Sequence, residues 1–264
     1  MGVVNVTPDS FYADSRFPHS DQAVEVALEM IEKGAAILDL GAESTRPGAA
    51  AVPTEEELSR LLPVLSKLRP RTDALISIDT KKSVVAGRAL ALGADVINDV
   101  SGLLADKNMA ATIAAADAGV VVMHMLGTPE TMQTRPEYDD VVSEVVGTLR
   151  SGSRRAISAG IARDSILVDP GIGFGKTVEH NLTLLNRLPE LSKLELPVLV
   201  GTSRKSFIGK LLSLPPENRI LGTAASVASA VLRGADVVRV HDVGEMMEVV
   251  RVADAVRRAG GGSE

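Results

Sequence analysis

Nine polar residues hold equivalent places in this chain. Asn5, Asp39, Asp79, Asn98, Asp99, His124, Asp169, Arg239 and His241 each lie at or beside the end of a short apolar run: VVN, AAILD, ALISID, DVIND, VVVMH, ILVD and VVRVH. A buried strand has no use for such side chains at its tip unless something polar waits there. Asp79, Asn98 and Asp169 are short acceptors and donors. They suit a flat heterocycle with an amidine edge, where a carboxylate accepts two N–H bonds. Arg239 and His241 alternate and so share a face. An arginine fork beside a histidine suits phosphate oxygens; the competing reading of Arg239 is an ion pair with an aspartate. Sugars want aromatic platforms, and the chain has no tryptophan and two tyrosines.

The elements that must carry these residues alternate. Strand-like runs fall at 2–7, 36–41, 74–79, 96–100, 119–125, 166–169, 197–202 and 237–241. Helical patterns fall between them at 21–33, 54–68, 82–92, 107–117, 139–159, 178–188, 206–233 with a break at Pro215-Pro216, and 243–258. Thr54 followed by Glu55, Glu56 and Glu57 predicts a capping box. The phrase GAAILDL recurs as GADVIND and GADVVRV. Each copy is a glycine exit from a helix, a strand and a polar tip. Eight such units predict an α/β fold: an eight-stranded parallel (β/α)8 TIM barrel, with its active site on the C-terminal face of the strands. A doubly wound open sheet is the alternative, and polar tips spread over the whole chain favour closure. One domain over 1–264 is expected, near the usual barrel size of roughly 250 residues. The chain opens directly in its first strand, so a natural N-terminal segment that plugs the barrel is expected to be missing. Two long connections, 8–20 and 42–53, leave the active face and read as substrate clamps.

Composition removes several function classes. A net charge of −6 gives no general attraction to nucleic acid or anionic membrane. No apolar run approaches the ~20 residues that span a bilayer. The absence of cysteine excludes disulfides and thiolate chemistry and is compatible with a cytoplasmic setting. DPGIGFGKT (169–177) fails the P-loop pattern, because Pro170 stands where the first glycine belongs. GTSRK (201–205) is not a nucleophile elbow, because Lys205 replaces the last glycine. There is no HExxH, and the four histidines are scattered. His19 and His180 read as surface residues. A Mg²⁺ carried by phosphate needs few protein groups.

The motifs NVTPDSF (5–11), GAESTRPGA (41–49), SIDT (77–80), INDVSG (97–102), MHMLGTPETMQ (123–133), DPGIGFGKT (169–177), GTSRKSFIG (201–209) and RVHDV (239–243) occur in order along the whole chain. Together they resemble the dihydropteroate synthase family of pterin-binding barrels. The resemblance implies condensation of 6-hydroxymethyl-7,8-dihydropterin pyrophosphate with p-aminobenzoate, giving 7,8-dihydropteroate and pyrophosphate in folate synthesis. It implies Mg²⁺, inhibition by sulfonamides and a homodimer. The pterin would lie against Asp79, Asn98, Met123, Asp169 and Lys205, with Asp169 on its 2-amino and N3 edge. Pyrophosphate would lie against Asn5, Arg46, Arg239 and His241, with Asn5 near the metal. p-Aminobenzoate would sit between Thr45, Pro47, Phe174 and Ser203.

Asp79, Lys205, Arg239 and His241 would act in catalysis. The absence of an evident general base agrees with dissociative substitution at the pterin methylene. On this assignment Arg239 belongs to phosphate, and its loss is expected to spare binding of bare pterin. The enzyme rival is a methyltetrahydrofolate-dependent corrinoid methyltransferase, which needs no aminobenzoate clamp; the non-enzyme rival is a pterin-binding paralogue.

Overall fold

The computed structural model describes residues 1–6, 19–44, 49 and 51–260. Eight short apolar runs form the strands β1 (Gly2–Asn5), β2 (Ile37–Gly41), β3 (Leu75–Asp79), β4 (Val96–Asp99), β5 (Gly119–Met123), β6 (Ile166–Asp169), β7 (Leu199–Val200) and β8 (Val237–Val238). The connecting helices are α1 (His19–Glu32), α2 (Thr54–Leu68), α3 (Ser83–Ala91), α4 (Met109–Ala115), α5 (Val141–Ser158), α6 (Val178–Asn186), α7 (Ser206–Leu212), α8 (Ile220–Leu232) and α9 (Val243–Gly260). β1 to β6 pair in sequence order and β7 pairs with β8, all parallel. Two bridges complete the ring. Val168 meets Val198, with Val168 N donating to Pro197 O at 3.0 Å, and Gly2 meets Val240, with Val3 N donating to Val240 O at 2.9 Å. Every strand therefore has two neighbours, and the barrel has no open edge.

The two-residue period of a strand sorts side chains inside and out. Leu38, Leu40, Ile76, Ile78, Ile97, Val120, Val122 and Val168 point outward into the large core beneath the helices. Val96, Val121 and Leu199 form a separate cluster with Met1, Leu167 and Val237, which fills the lower end of the barrel. Two residues further along these strands the inward positions are Asn98, Met123, Asp169, Gly201 and Arg239. The same period puts Asn5, Asp39, Ser77 and Asp79 inside. An apolar layer below and a polar layer above is the arrangement of a barrel whose site opens at the C-terminal ends of its strands.

Several boundaries differ from expectation. β7 and β8 are two residues long, shorter than expected, although backbone bonds run past them: Arg239 N donates to Val200 O at 3.0 Å and Val240 bridges to Gly2. The Thr54 capping box does not form. Pro53 is the N-cap, without a side-chain bond, and Glu57 is drawn away to Thr80 and Lys82. The true capping box is on α6, where Thr177 Oγ1 accepts from His180 N and His180 Nδ1 accepts from Thr177 N. His180 is thus a helix cap rather than a plain surface residue. The break at Pro215-Pro216 is present: α7 ends in left-handed Ser213 and α8 follows a short 3₁₀ turn. The recurrent glycines Gly34, Gly93 and Gly234 have φ of +102°, +91° and +96° at the helix exits, as the repeated phrase implied.

Candidate active site

Asp39 is the hub of the polar layer. It is fully buried and accepts from Ser77 Oγ at 2.6 Å, Asn98 Nδ2 at 3.1 Å and Arg239 Nε at 2.6 Å. Arg239 Nη2 reaches Asp79 Oδ2 at 3.0 Å. The guanidinium therefore bridges two carboxylates, and the ion-pair reading of Arg239 holds in this structure. Its Nη1 makes no hydrogen bond among the described residues and is left for an anion. Burial pushes the Asp79 carboxyl up to about 7, Arg239 pulls it down, and Asp39, Glu57 and Asp99 push it further up. Asn98 gives its amide to Asp39, and its Oδ1 is a buried acceptor with no partner. Such an acceptor costs about 1–3 kcal/mol unless a ligand donor meets it.

Asp169 closes β6, directly opposite Met123 of β5 in the ladder. Its Oδ1 accepts from Gly171 N at 2.7 Å, so the turn reading of this aspartate also holds. Its Oδ2 has no hydrogen bond among the described residues. Burial raises its pKa, opposed by Lys205, the Gly171 amide, Arg239 and Lys176. The glycines after it are required. Gly171 has φ +66°, and a Cβ there would lie 1.9 Å from His124 O; Gly175 has φ +64°, and its Cβ would lie 2.5 Å from Leu126 Cβ. Lys205 Nζ donates to Ile172 O and stands 4.6 Å over the Phe174 ring centre. Burial draws Lys205 down to about 8 despite Asp169 and Asp79. Lys205 faces these carboxylates without bonding either.

The last two strand ends are tied together. His241 N donates to Ser203 Oγ at 3.2 Å, and His241 Nδ1 lies 2.9 Å from the same oxygen. Arg204 Nε donates to Asp242 Oδ2 at 2.9 Å. The residues assigned to pyrophosphate and to aminobenzoate thus share one hydrogen-bonded corner. Asn5 ends β1, and its side chain has no hydrogen-bond partner among the described residues. Thr45, Arg46 and Pro47 lie outside the described residues, as do residues 8–18 of the first connection and 48 and 50 of the second. The base of the second connection is described: Lys82 Nζ bonds Glu43, Glu57 and, at 2.7 Å, Val52 O.

Strand parity corrects two of the nine polar ends. Asp99 follows inward Asn98 and faces away, where its Oδ1 accepts from Ser101 N and Oγ in a turn. His124 follows inward Met123 and also faces away, with Nδ1 2.9 Å from Lys176 Nζ. Neither belongs to the inner layer. Sequence reasoning assigned no role to Asp39, whose strand-end position was the available signal. It also passed over Lys176, which is 3% exposed; a lysine after a glycine turn carries no sign of burial.

A closed parallel barrel with an acceptor edge, three buried carboxylates and opposing cations above its strands defines a pterin-binding barrel enzyme, and residues 1–241 match the family described as "Pterin binding enzyme". The chain is 45% identical to the dihydropteroate synthase of Synechocystis sp. over 98% of its own length and 90% of that protein. It superposes with TM-score 0.92, at 42% identity, on a Yersinia pestis dihydropteroate synthase in complex with a sulfonamide drug, covering 97% of this chain and 93% of that one. It superposes with TM-score 0.87, at 41% identity, on the Xanthomonas albilineans dihydropteroate synthase in complex with 7,8-dihydropteroate, covering 97% and 92%. The chain belongs to the dihydropteroate synthase family and is a transferase.

Proposed function

We infer that the chain joins the methylene of 6-hydroxymethyl-7,8-dihydropterin pyrophosphate to the amine of p-aminobenzoate, releasing pyrophosphate. The observation that carries this reading at the site is the pair of open acceptors at the ends of β4 and β6, Asn98 Oδ1 and Asp169 Oδ2, which flank the end of β5. They match the N–H edge of a pterin. The open Nη1 of Arg239, with His241, suits the leaving diphosphate, whose charge grows as the C–O bond lengthens. The methylene becomes electron-poor at the same moment, and Asp79 offsets that charge. The arylamine attacks as a positioned nucleophile, with Phe174 and Ser203 lining its place, so orientation does more than a base. A methyltransferase has no use for this Ser203–His241 corner.

We further assign Mg²⁺ to the pyrophosphate as a substrate-borne ion. Among the described residues no three His, Cys, Asp or Glu gather to hold a metal. Asn5 offers one unpartnered carboxamide oxygen, which fits an ion completed by phosphate oxygens and water. Pyrophosphate release that requires p-aminobenzoate, is blocked by a sulfonamide and by chelator, and returns with Mg²⁺ is the expected result. Turnover of the pterin substrate without p-aminobenzoate at the same rate would overturn the reading.

The outer surfaces of α7, α8 and α9 expose Leu211, Leu212, Leu221, Leu232, Val252 and Val256, with Leu221 at 80% exposure. We propose that a second copy of the chain covers them in a homodimer. Sedimentation should give twice the chain mass, and Leu221→Glu should shift it toward the monomer; a monomeric wild type would refute this assignment. Among the described residues no helix is long and apolar enough to cross a membrane, and the cysteine-free composition suits a cytoplasmic enzyme.

A further inference from the structure

Lys176 is an anomaly in the barrel: a buried ammonium with no carboxylate in hydrogen-bonding reach among the described residues. Its Nζ donates to Phe174 O at 3.0 Å and meets His124 Nδ1 at 2.9 Å, both neutral acceptors. For His124 to accept, its proton must sit on Nε2. Burial and the neighbouring lysine hold the imidazole neutral, drawing its pKa down to about 3. The surroundings make the contact a brace. His124 N donates to Asp169 O at 2.9 Å, locking the β5 end to the β6 end. Tyr138 stands beside the His124 ring, 6.0 Å between centres, and its hydroxyl donates to Gly175 O at 2.8 Å. Gly171 lets the turn lie close against the β5 end: a Cβ there would lie 1.9 Å from His124 O. The turn from Asp169 to Lys176 is thus held from beneath by one cation that also sits in the field of Asp169.

We propose that Lys176 is a positioning residue for the substrate site. By gripping Phe174 O and His124 it fixes the 170–175 turn, so that Asp169 keeps its open oxygen toward the pterin and Phe174 keeps its ring under Lys205. This rests on the pterin reading of Asp169 given above. Burial costs the ammonium dearly and draws its pKa down to about 7, with Asp169 pulling up and Lys205 pulling down. A chain without a use for that charge would gain stability by losing it.

Lys176→Met keeps the stem and removes the charge and both donors. Affinity for 6-hydroxymethylpterin, read by calorimetry, should fall by about tenfold, and KM for the pterin pyrophosphate should rise with it. The kcat at saturation should change much less. The chain has no cysteine, so Lys176→Cys can be aminoethylated at that position alone, in denaturant before refolding. The restored amine should return most of the affinity. A folded methionine variant with wild-type pterin affinity overturns the proposal. If that variant does not fold, the His124 pair decides. His124→Gln supplies an amide acceptor and should retain affinity, whereas His124→Leu should lose it; equal affinities overturn the proposal. Failure of the wild type to bind pterin would instead sink the reading of Asp169.

Discussion

Arg239→Ala should lower turnover by about a thousandfold and cost about 3 kcal/mol of stability. The sequence expectation gave this residue to phosphate alone and had bare pterin binding survive its loss. The geometry changes that expectation. The guanidinium is bonded to Asp39 and Asp79 at once, at 2.6 and 3.0 Å. Its removal strands two buried carboxylates beside the pterin position, so pterin affinity should fall together with turnover.

The stability loss should also depend on pH. The folded protein keeps the Asp79 proton up to about pH 7, whereas the ordinary value is 3.8. Between these values the native state binds more protons than the unfolded chain, so stability from this group falls as pH rises. Without Arg239 the downward pull on Asp79 is gone, its pKa climbs, and the falling limb extends above pH 7. The difference in Tm between wild type and variant should therefore be larger at pH 8 than at pH 5. An equal difference at both values would show that Asp79 is not the partner that matters.

Asp169→Asn should weaken pterin binding about a hundredfold while leaving the fold nearly intact. The two oxygens have separate tasks. Oδ1 accepts from Gly171 N at 2.7 Å, and the asparagine oxygen can keep that bond and the turn with it. The amide nitrogen then takes the Oδ2 place and presents N–H to the N–H edge of the ligand. One acceptor is lost and one donor is left facing a donor. Calorimetry with 6-hydroxymethylpterin reads the affinity and a melting curve reads the fold. Unchanged affinity in a folded variant would remove Asp169 from the pterin edge; a variant that fails to melt cooperatively would show that the turn needs the charge.

Much of the scaffold was legible because its signals are local. Ile76, Ile78 and Ile97 alternate with Ser77 and Asn98, and that two-residue period alone separates the face packed under helices from the face turned into the barrel. The helix exits were marked by Gly34, Gly93 and Gly234, whose positive φ suits glycine. The same local logic applied strictly would have removed Asp99 and His124 from the inner set, since each follows an inward residue. The Thr54 cap failed for a non-local reason: Glu57, one side of the expected box, is held by Thr80 and Lys82 from the next unit.

The sequence by itself determined the strand and helix order, the inward parity of Asp39, Asp79, Asn98, Asp169 and Arg239, and the motifs that mark the family. Each is set by neighbours within a few residues or by residue type. Only the tertiary structure decided which charges meet. Arg239 finds Asp39 and Asp79 across 200 and 160 residues of chain, because the bridge of Gly2 to Val240 closes the ring and places the eighth strand beside the first. The burial of Lys176 was likewise decided by packing, since the turn that covers it needs the ends of β5 and β6 side by side. A strand period tells a side chain which face to take. The closed ring determines which other side chains, and at what electrostatic cost, share that face.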